Sequence, residues 1–338
     1  MPPHLVSMLG QIEYLKAQWV SNTKLSPQIL NRLKKSVLVT STGASTRIEG
    51  SRLSNEEVDR LMQGLSFQTF ANRDEQEVKG YFELLQNIFQ AWDTLRLTEG
   101  AIKHLHQELL KYVDKDVLHR GDYKHKENQV RLIDPQGRDL GILFDTTPAY
   151  LTPSEMSDLV QWTREALQNY HPLLVIGNFI VEFLNIHPFE DGNGRLSRIL
   201  TNLLLLQAGF AFMPYVSHEA LIENRKVEYY RALRESQRTF KTEDESVEAW
   251  LTFFLSVVLE QAKQAIALLS YEDIERLLSP KQLIVWRYLQ DHPNASRSDI
   301  VSQTGIVTPT VNQALKRLLE LKRIERVGSG PGTRYRVL

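Results

Sequence analysis

The sequence predicts a mainly α-helical protein with one small β-hairpin and a winged helix-turn-helix at its C-terminal end. Three patterns predict this fold class: apolar residues at helical spacing over most of the 338 residues, one pair of strand-like segments, and short alternating helices and strands at the end. A chain of this length usually forms two or three domains. We expect an N-terminal helical region at 1–95, a helical core at 96–272 and the winged domain at 275–338.

The predicted helices are the segments in which apolar residues recur three or four positions apart, because this spacing places them on one helix face. These segments are 28–39, 75–92, 99–112, 153–168, 172–186, 196–209 and 247–269. Between them, residues 129–133 and 140–144 flank the turn sequence Asp134-Pro135-Gln136-Gly137, which predicts the hairpin.

The most informative stretch is residues 187–198, which read HPFEDGNGRLSR and lie between two predicted helices. Gly192 and Gly194 let the backbone approach a ligand closely, and the free N–H groups at the start of the second helix favour an anion. Arg195 and Arg198 are three positions apart, so they share a helix face and lean back toward the loop. This combination predicts a nucleotide phosphate site.

His187 and Asp191 add reactive groups to the predicted phosphate site. An imidazole with an ordinary pKa of about 6.5 can accept a proton at neutral pH. Mg²⁺ commonly needs only one or two protein carboxylates when phosphates and water complete its shell, which makes Asp191 a candidate ligand. Taken singly, such a histidine is more often structural, and the fragment DGNG is common in turns and calcium loops. An EF-hand is disfavoured because its further oxygen ligands are missing after Asn193.

The whole stretch resembles the signature of Fic-domain proteins, H-P-F-x-D/E-G-N-G-R-x-x-R, at every fixed position. The resemblance implies a Fic-type helical bundle that transfers AMP from ATP to a serine, threonine or tyrosine hydroxyl of a protein. By resemblance, His187 is the base and Asp191 holds Mg²⁺ against the phosphates. Arg195 and Arg198 would hold the leaving end of ATP. The residues implied to line the anion hole are Gly192, Asn193 and Gly194.

A second motif lies upstream, where Ser45-x-x-x-Glu49-Gly50 matches the S/T-x-x-x-E-G/N inhibitory motif of the same family. The resemblance implies that Glu49 pairs with Arg198. An arginine engaged by a carboxylate cannot hold the γ-phosphate of ATP, so autoinhibition is the expected resting state. The same residues also fit a helix end with a glycine cap.

Two further assignments follow from the same resemblance. The hairpin corresponds to the family's flap, which holds an extended target segment by backbone pairing, although many members have Arg where Lys124 stands. In segment 222–240, an aromatic pair and two later residues resemble the helix that borders the adenine; a core aromatic stripe is the alternative. The residues expected to contact the nucleotide there are Tyr230, Leu233 and Gln237.

The stretch from Ser279 onward resembles a winged helix-turn-helix whose glycine-rich loop forms the wing. Residues 281–338 hold ten Lys/Arg and four Asp/Glu, so they carry +6 while the remainder carries −7. This charge split favours DNA as a partner, with protein docking or dimerisation as the alternative. The candidate DNA contacts are Thr308, Thr310, Asn312, Gln313, Lys316, Arg317 and Arg334.

The composition agrees with a cytoplasmic enzyme that has no membrane contact. The chain is 42% hydrophobic, carries a net charge of −1 and lacks cysteine, which excludes disulfides and thiolate metal sites. We see no signal-peptide pattern and expect no apolar run long enough to span a bilayer. The expected partner is a protein with an accessible hydroxyl, which can be the chain itself, and a homodimer is an open option.

Three functions compete at this point. The first is an autoinhibited protein adenylyltransferase that uses ATP and Mg²⁺, and both motifs favour it. The second is a DNA-binding regulator whose Fic core senses nucleotide. The third is a hydrolase that removes AMP from modified proteins, with Glu49 as the base that activates water.

Overall fold

The computed structural model describes residues 1–22, 25, 27–64, 72–133, 139–292, 294–328 and 330–337, which fall into two compact units, Met1–Ile266 and Ala267–Leu338. Helices dominate both units, which confirms the mainly α fold class. The helices that begin in the first unit are α1 (Pro3–Asn22), α2 (Pro27–Ile48), α3 (Asn55–Gln63), α4 (Arg73–Ala91), α5 (Glu99–Leu109), α6 (Thr152–Ala166), α7 (Pro172–Ile186), α8 (Asn193–Gln207), α9 (His218–Asn224), α10 (Lys226–Arg238) and α11 (Glu248–Leu277).

Helices α7 and α8 form the centre of the first unit and pack against each other. Helix α7 buries apolar side chains on nearly all sides, among them Phe179 and Phe183, and most of α8 is buried as well. A helix that is apolar all round belongs to a core. The joint between these two helices is the sequence stretch 187–192.

Helix α2 is longer than the predicted segment 28–39, because it continues to Ile48. The added turns contain Ser41, Thr42 and Ser45, which are buried where α2 packs against α4 and α9. Tertiary packing overrides the modest helix propensity of serine and threonine. The upstream motif therefore lies in the last turn of α2 and just beyond it, where Gly50 has a φ of 107°.

The predicted hairpin is present as β1 (Gln129–Ile133) and β2 (Asp139–Asp145), which pair in antiparallel fashion. Gln129 lies opposite Asp145, and the register shifts twice along the ladder. Such shifts bend a hairpin locally. The turn predicted at 134–137 lies outside the described residues.

The second unit contains α12 (Pro280–Asp291), α13 (Arg297–Thr304) and α14 (Thr308–Glu320), together with β3 (Ala295–Ser296), β4 (Ile324–Val327) and β5 (Arg334–Val337). The strands form an antiparallel sheet in the order β3-β5-β4. Trp286, Leu315 and Leu318 are buried in its core. These elements occupy the segments expected from the sequence, while the assignment as a winged helix-turn-helix and the division into three regions stay predictions.

Helix α11 is long and apolar enough over Glu248–Leu269 to cross a membrane by length and composition, which differs from the expectation of no such run. Half of this stretch is buried inside the protein, including Phe254, Val258 and Ala262. Packing in the core of the first unit accounts for its apolar character.

Candidate functional site

The candidate site is built around the joint of α7 and α8. His187 caps the end of α7 with a φ of 51°, a left-handed conformation that costs a residue other than glycine roughly 1–2 kcal/mol. Gly192 caps the start of α8 with a φ of 81°. These left-handed residues turn the chain so that the end of one central helix meets the start of the next.

His187 presents a neutral ring at this joint. Its Nδ1 lies 3.3 Å from the carbonyl oxygen of Leu184. Because a carbonyl only accepts, Nδ1 carries the proton in this bond and Nε2 keeps its lone pair. Burial lowers the pKa of His187 to about 4, and the charge of Lys124 acts in the same direction. At neutral pH the ring is therefore a free base.

The loop is closed internally by Asn193 and Phe189. The Oδ1 of Asn193 accepts from the N–H of Phe189 at 3.0 Å, and its Nδ2 donates to the carbonyl of Phe189 at 2.7 Å. The side chain of Asn193, expected in the anion hole, thus shapes the loop, while its backbone N–H lies at the start of α8. The ring of Phe189 is buried and stacks on His106 with the centroids 3.8 Å apart.

His106 anchors this loop, a role that the sequence does not reveal. Its Nδ1 accepts from the N–H of Gly121 at 2.8 Å, so its Nε2 carries the proton and donates to the carbonyl of Asp191 at 2.9 Å. Burial lowers the pKa of His106 to about 4, which keeps this tautomer at neutral pH. A histidine inside an amphipathic helix carries no local signal for such a contact.

Lys124 and Asn128 tie the base of the hairpin to the same loop. The Nζ of Lys124 donates to Asn128 Oδ1 and Thr146 Oγ1, both at 2.7 Å, and to the carbonyl of Ile186 at 3.0 Å. Asn128 Nδ2 donates to the carbonyl of Phe189 at 2.9 Å. Burial lowers the pKa of Lys124 to about 8. Lys124 therefore fixes the hairpin against the end of α7.

The first turn of α8 offers backbone N–H groups to an anion. The helical hydrogen bonds begin with Leu196 N–H to Gly192 O at 2.8 Å, so the N–H groups of residues 193–195 precede them. A Cβ on Gly194 would collide with the carboxylate of Glu49. The Glu49 carboxylate thus lies against the helix start where the sequence predicts phosphate.

Arg198 is held by the last turn of α2. Its Nη2 lies 2.7 Å from Glu49 Oε1 and 2.9 Å from the carbonyl of Ser45, and its Nε donates to Ser45 Oγ at 2.8 Å. The side chain of Arg198 is 2% exposed and that of Glu49 34%. The expected contact between Glu49 and Arg198 is therefore present. The same motif also forms the end of α2, so the two interpretations of this segment do not exclude each other.

Arg195 contacts a different set of carboxylates. Its Nη1 lies 2.7 Å from Glu77 Oε2 and its Nη2 lies 2.9 Å from Asp191 Oδ2, which also accepts from Arg73 Nη2 at 2.6 Å. Burial raises the pKa of Asp191, but the two arginines outweigh it and leave that pKa below its ordinary value. Arg195 thus leans back to Asp191 of the loop, and both Arg195 and Arg198 are buried and paired with carboxylates.

The surroundings of Asp191 fit a metal that shares its shell with phosphates. Among the residues that the structure describes, no group of three or more His, Cys, Asp or Glu could hold a metal ion alone. Asp191 offers carboxylate oxygen beside the start of α8, which suits Mg²⁺ when phosphates and water supply the other ligands. Its Oδ2 is already engaged by two arginines, so a cation there would compete with them.

The residues expected at the adenine lie on α10, next to the end of α2. The hydroxyl of Tyr230 donates to the carbonyl of Ile48 at 3.3 Å, Leu233 is buried and Gln237 is half-buried. Tyr229 packs against Trp250, as a core stripe would. The nucleotide contacts of α10 stay a prediction.

The candidate DNA contacts in the second unit differ in exposure. Thr310 and Arg317 are half-buried, and Arg334 donates to the carbonyl of Asn294 at 2.9 Å. The candidate contacts that are exposed on α14 are Thr308, Asn312, Gln313 and Lys316.

The fold and the joint define a class of mainly helical proteins in which one loop joins two central helices beside a β-hairpin. Residues 96–205 match the model of the Fic/DOC family. The chain therefore contains a Fic/DOC domain, which spans about a third of its length.

Comparison with known proteins places this domain among named relatives. The chain is 34% identical over 119 residues to "Protein adenylyltransferase Fic" of Drosophila virilis, covering 34% of this chain and 21% of that protein. It is 31% identical over 143 residues to the protein of the same name from Drosophila mojavensis, covering 41% and 24%. The chain thus spans less than a quarter of the length of these curated relatives.

Solved structures share the fold. A Fic family protein from Desulfovibrio desulfuricans G20 superposes with a TM-score of 0.66 at 23% identity, covering 100% of this chain and 97% of that one. Fic-1 from C. elegans gives a TM-score of 0.62 at 18% identity, covering 79% and 73%.

Proposed function

We propose that this chain is a protein adenylyltransferase that transfers AMP from ATP to a serine, threonine or tyrosine hydroxyl of a protein. The observation that carries the proposal is the meeting of the neutral His187 ring and the first turn of α8 at one joint. The name of the Drosophila relatives supports it. The target can be a separate protein or a second copy of this chain.

His187 is the general base of this reaction. Its Nε2 takes the proton of the incoming hydroxyl while the hydroxyl oxygen forms a bond to the α-phosphorus of ATP. The bond from the α-phosphorus to the bridging oxygen breaks, and pyrophosphate leaves with the electron pair. A ring that is neutral at pH 7 can accept this proton, and such a base typically contributes about 10²–10⁴-fold to the rate.

The start of α8 positions the nucleotide. The N–H groups of residues 193–195 face the phosphates, and Arg195 and Arg198 neutralise the charge of the leaving end. Mg²⁺ held by Asp191 would supply further charge neutralisation when bound. Tyr230, Leu233 and Gln237 border the adenine. Positioning and preorganised charge carry most of such transfers, so little further chemistry is required of the protein.

Glu49 inhibits ATP binding at this site. Its carboxylate holds Arg198 and lies against Gly194, so the terminal phosphate of ATP has to displace it. A ligand shifts such an equilibrium only by its differential affinity for the two states, and each 1.4 kcal/mol changes the competent fraction about tenfold. Wild-type protein is therefore expected to have low transfer activity.

Labelled ATP tests the proposal. Glu49→Gly protein incubated with Mg²⁺ and ATP labelled at the α-phosphorus is expected to become labelled, whereas ATP labelled at the γ-phosphorus leaves it unlabelled. Adding His187→Ala is expected to remove the α-label. Labelling from the γ-phosphorus would instead indicate kinase chemistry and contradict the proposal.

Removal of AMP from a modified protein is the second candidate function. It is favoured by the partial exposure of Glu49 beside the phosphate site, where the carboxylate can activate water. Release of AMP from a pre-modified target by wild type, and its loss in Glu49→Gly, would support hydrolysis. Faster release by Glu49→Gly would contradict it.

DNA binding is a separate proposal for the second unit. The exposed polar and basic face of α14, with Asn312 and Lys316, favours it. A mobility-shift assay with the full chain at low ionic strength is expected to show a salt-dependent complex that Lys316→Ala weakens. The absence of any shift would contradict DNA binding and leave the transferase proposal unaffected.

A further inference from the structure

Arg73 contacts the signature loop although it lies outside both sequence motifs. It is the first residue of α4, and its Nη2 lies 2.6 Å from Asp191 Oδ2. The same guanidinium lies 2.7 Å from Glu77 Oε1 and 3.9 Å from Asp116 Oδ2. Three carboxylates, one from α4, one from the turn at 114–116 and one from the loop, thus lie around Arg73, and Arg195 contacts two of them, Glu77 and Asp191.

Asp116 indicates that this arrangement needs a cation. It is 5% exposed, and its Oδ1 lies 3.2 Å from His119 Nε2. Its Oδ2 is buried without a hydrogen-bond partner among the described residues, 3.9 Å from Arg73. A buried carboxylate oxygen that lacks a donor is unfavourable. Arg73 supplies the positive charge nearest to Asp116 Oδ2, and it shares Glu77 and Asp191 with Arg195.

Of the two arginines on Asp191, only Arg73 is placed to leave. The side chain of Arg195 is 3% exposed, whereas that of Arg73 is 46% exposed and that of Asp191 36%. Arg73 can therefore turn into solvent without opening the core, and Asp191 remains reachable from outside. Arg195 can make the same movement only by leaving a buried position.

We propose that Arg73 is the resident counter-cation of Asp191 and that it yields this carboxylate to the divalent cation that arrives with ATP. The inference rests on the proposed function, because it assumes a metal–nucleotide at this joint. Glu49 lies where a phosphate would lie, and Arg73 lies where a metal would contact Asp191. Arg73 is thus a positioning residue that competes with the metal, as Glu49 competes with the phosphate.

Calorimetry of nucleotide binding tests this inference without measuring catalysis. The probe is α,β-methylene-ATP, which resists transfer, and the protein is the 338-residue chain with Glu49→Gly. The quantity compared is the ratio of its affinity with Mg²⁺ to its affinity with EDTA. Adding Arg73→Gln is expected to raise this ratio about twofold to fivefold, the range for loss of a partly exposed ion pair. Arg73→Lys keeps the positive charge but not the planar guanidinium. Its affinity ratio is expected to lie between the ratios measured with Arg73 and with Arg73→Gln.

Lys115→Gln is the matched control, because Lys115 is exposed beside Asp116 and its loss changes the net charge equally. An unchanged ratio in Arg73→Gln, or an equal gain in Lys115→Gln, would overturn the inference and leave the proposed function intact. A gain that persists after Asp191→Asn is added would also overturn it. If none of these proteins binds the nucleotide, the proposed function fails and the inference fails with it.

Discussion

Arg195 and Arg198 stand one turn apart on α8, yet they are held by different parts of the molecule. Arg195 lies between Glu77 and Asp191, and the side chain of Glu77 is 11% exposed. Arg198 is held by Ser45 and Glu49, and Glu49 lies 149 positions away in sequence. The comparison suggests that one arginine belongs to a network needed for folding and the other to a contact that can be released.

The largest expected effect is on activity at the Arg198 end. Glu49→Gly removes the carboxylate from Arg198 and from the start of α8, so AMP labelling is expected to rise about tenfold to a hundredfold. Autoradiography at limiting ATP measures it. Glu49→Gly combined with His187→Ala is the control and is expected at background. Equal labelling by wild type and Glu49→Gly would remove the distinction between the two arginines.

The second effect is a loss of folding stability when the contacts of Arg195 are weakened. Glu77→Gln leaves Arg195 buried with one carboxylate fewer, so the free energy of unfolding is expected to fall by about 3 kcal/mol. Glu49→Gln removes a more exposed partner, and Ser45 still accepts two hydrogen bonds from Arg198, so the expected cost is smaller, about 1–2 kcal/mol. Urea denaturation of the two variants measures both values. Equal losses would show that the two contacts are energetically alike.

The third effect is a pH dependence of stability that comes from two buried histidines. His187 begins the joint and His106 contacts it through the carbonyl of Asp191. Burial lowers the pKa of each to about 4, while the unfolded chain keeps the ordinary value of about 6.5. The unfolded state binds more protons between these values, so the free energy of unfolding falls as pH drops through this window. Each histidine contributes up to roughly 3 kcal/mol of this loss.

Urea unfolding at a series of pH values measures this loss. His106→Gln is expected to have a shallower pH slope than wild type, because one titrating group is gone while a donor to the loop can remain. An unchanged slope would contradict the assignment of His106 as a buried histidine that is neutral in the folded protein.

The smallest expected effect concerns Arg47, which lies in the last turn of α2, two positions before Glu49. Arg47 forms a two-bond ion pair with Glu223 on α9, at 2.6 and 2.8 Å, outside the joint. Glu223→Gln loosens the end of α2 while leaving Glu49 in place, so basal labelling is expected to rise about threefold. The same change in the Glu49→Gly background is expected to have no effect. An equal rise in both backgrounds would show that Glu223 acts elsewhere.

Much of the site could be predicted from the sequence because its key residues lie in two short motifs. The loop 187–198, the hairpin and the contact between Glu49 and Arg198 are found where the patterns indicate them. Arg73, Glu77 and His106 could not be predicted as site residues. They sit in ordinary amphipathic helices, and their contacts depend on how α4 and α5 pack against the loop.

The sequence by itself determined the helical class and the loop with its histidine, glycines and arginines. Local backbone preferences and residue chemistry are sufficient for these features, since each lies within a few neighbouring positions. Tertiary structure alone decided that His187 and His106 are neutral, that Asn193 closes the loop and that Arg73 lies on Asp191. Burial and long-range ion pairs exist only after distant segments have packed together, so no local pattern encodes them.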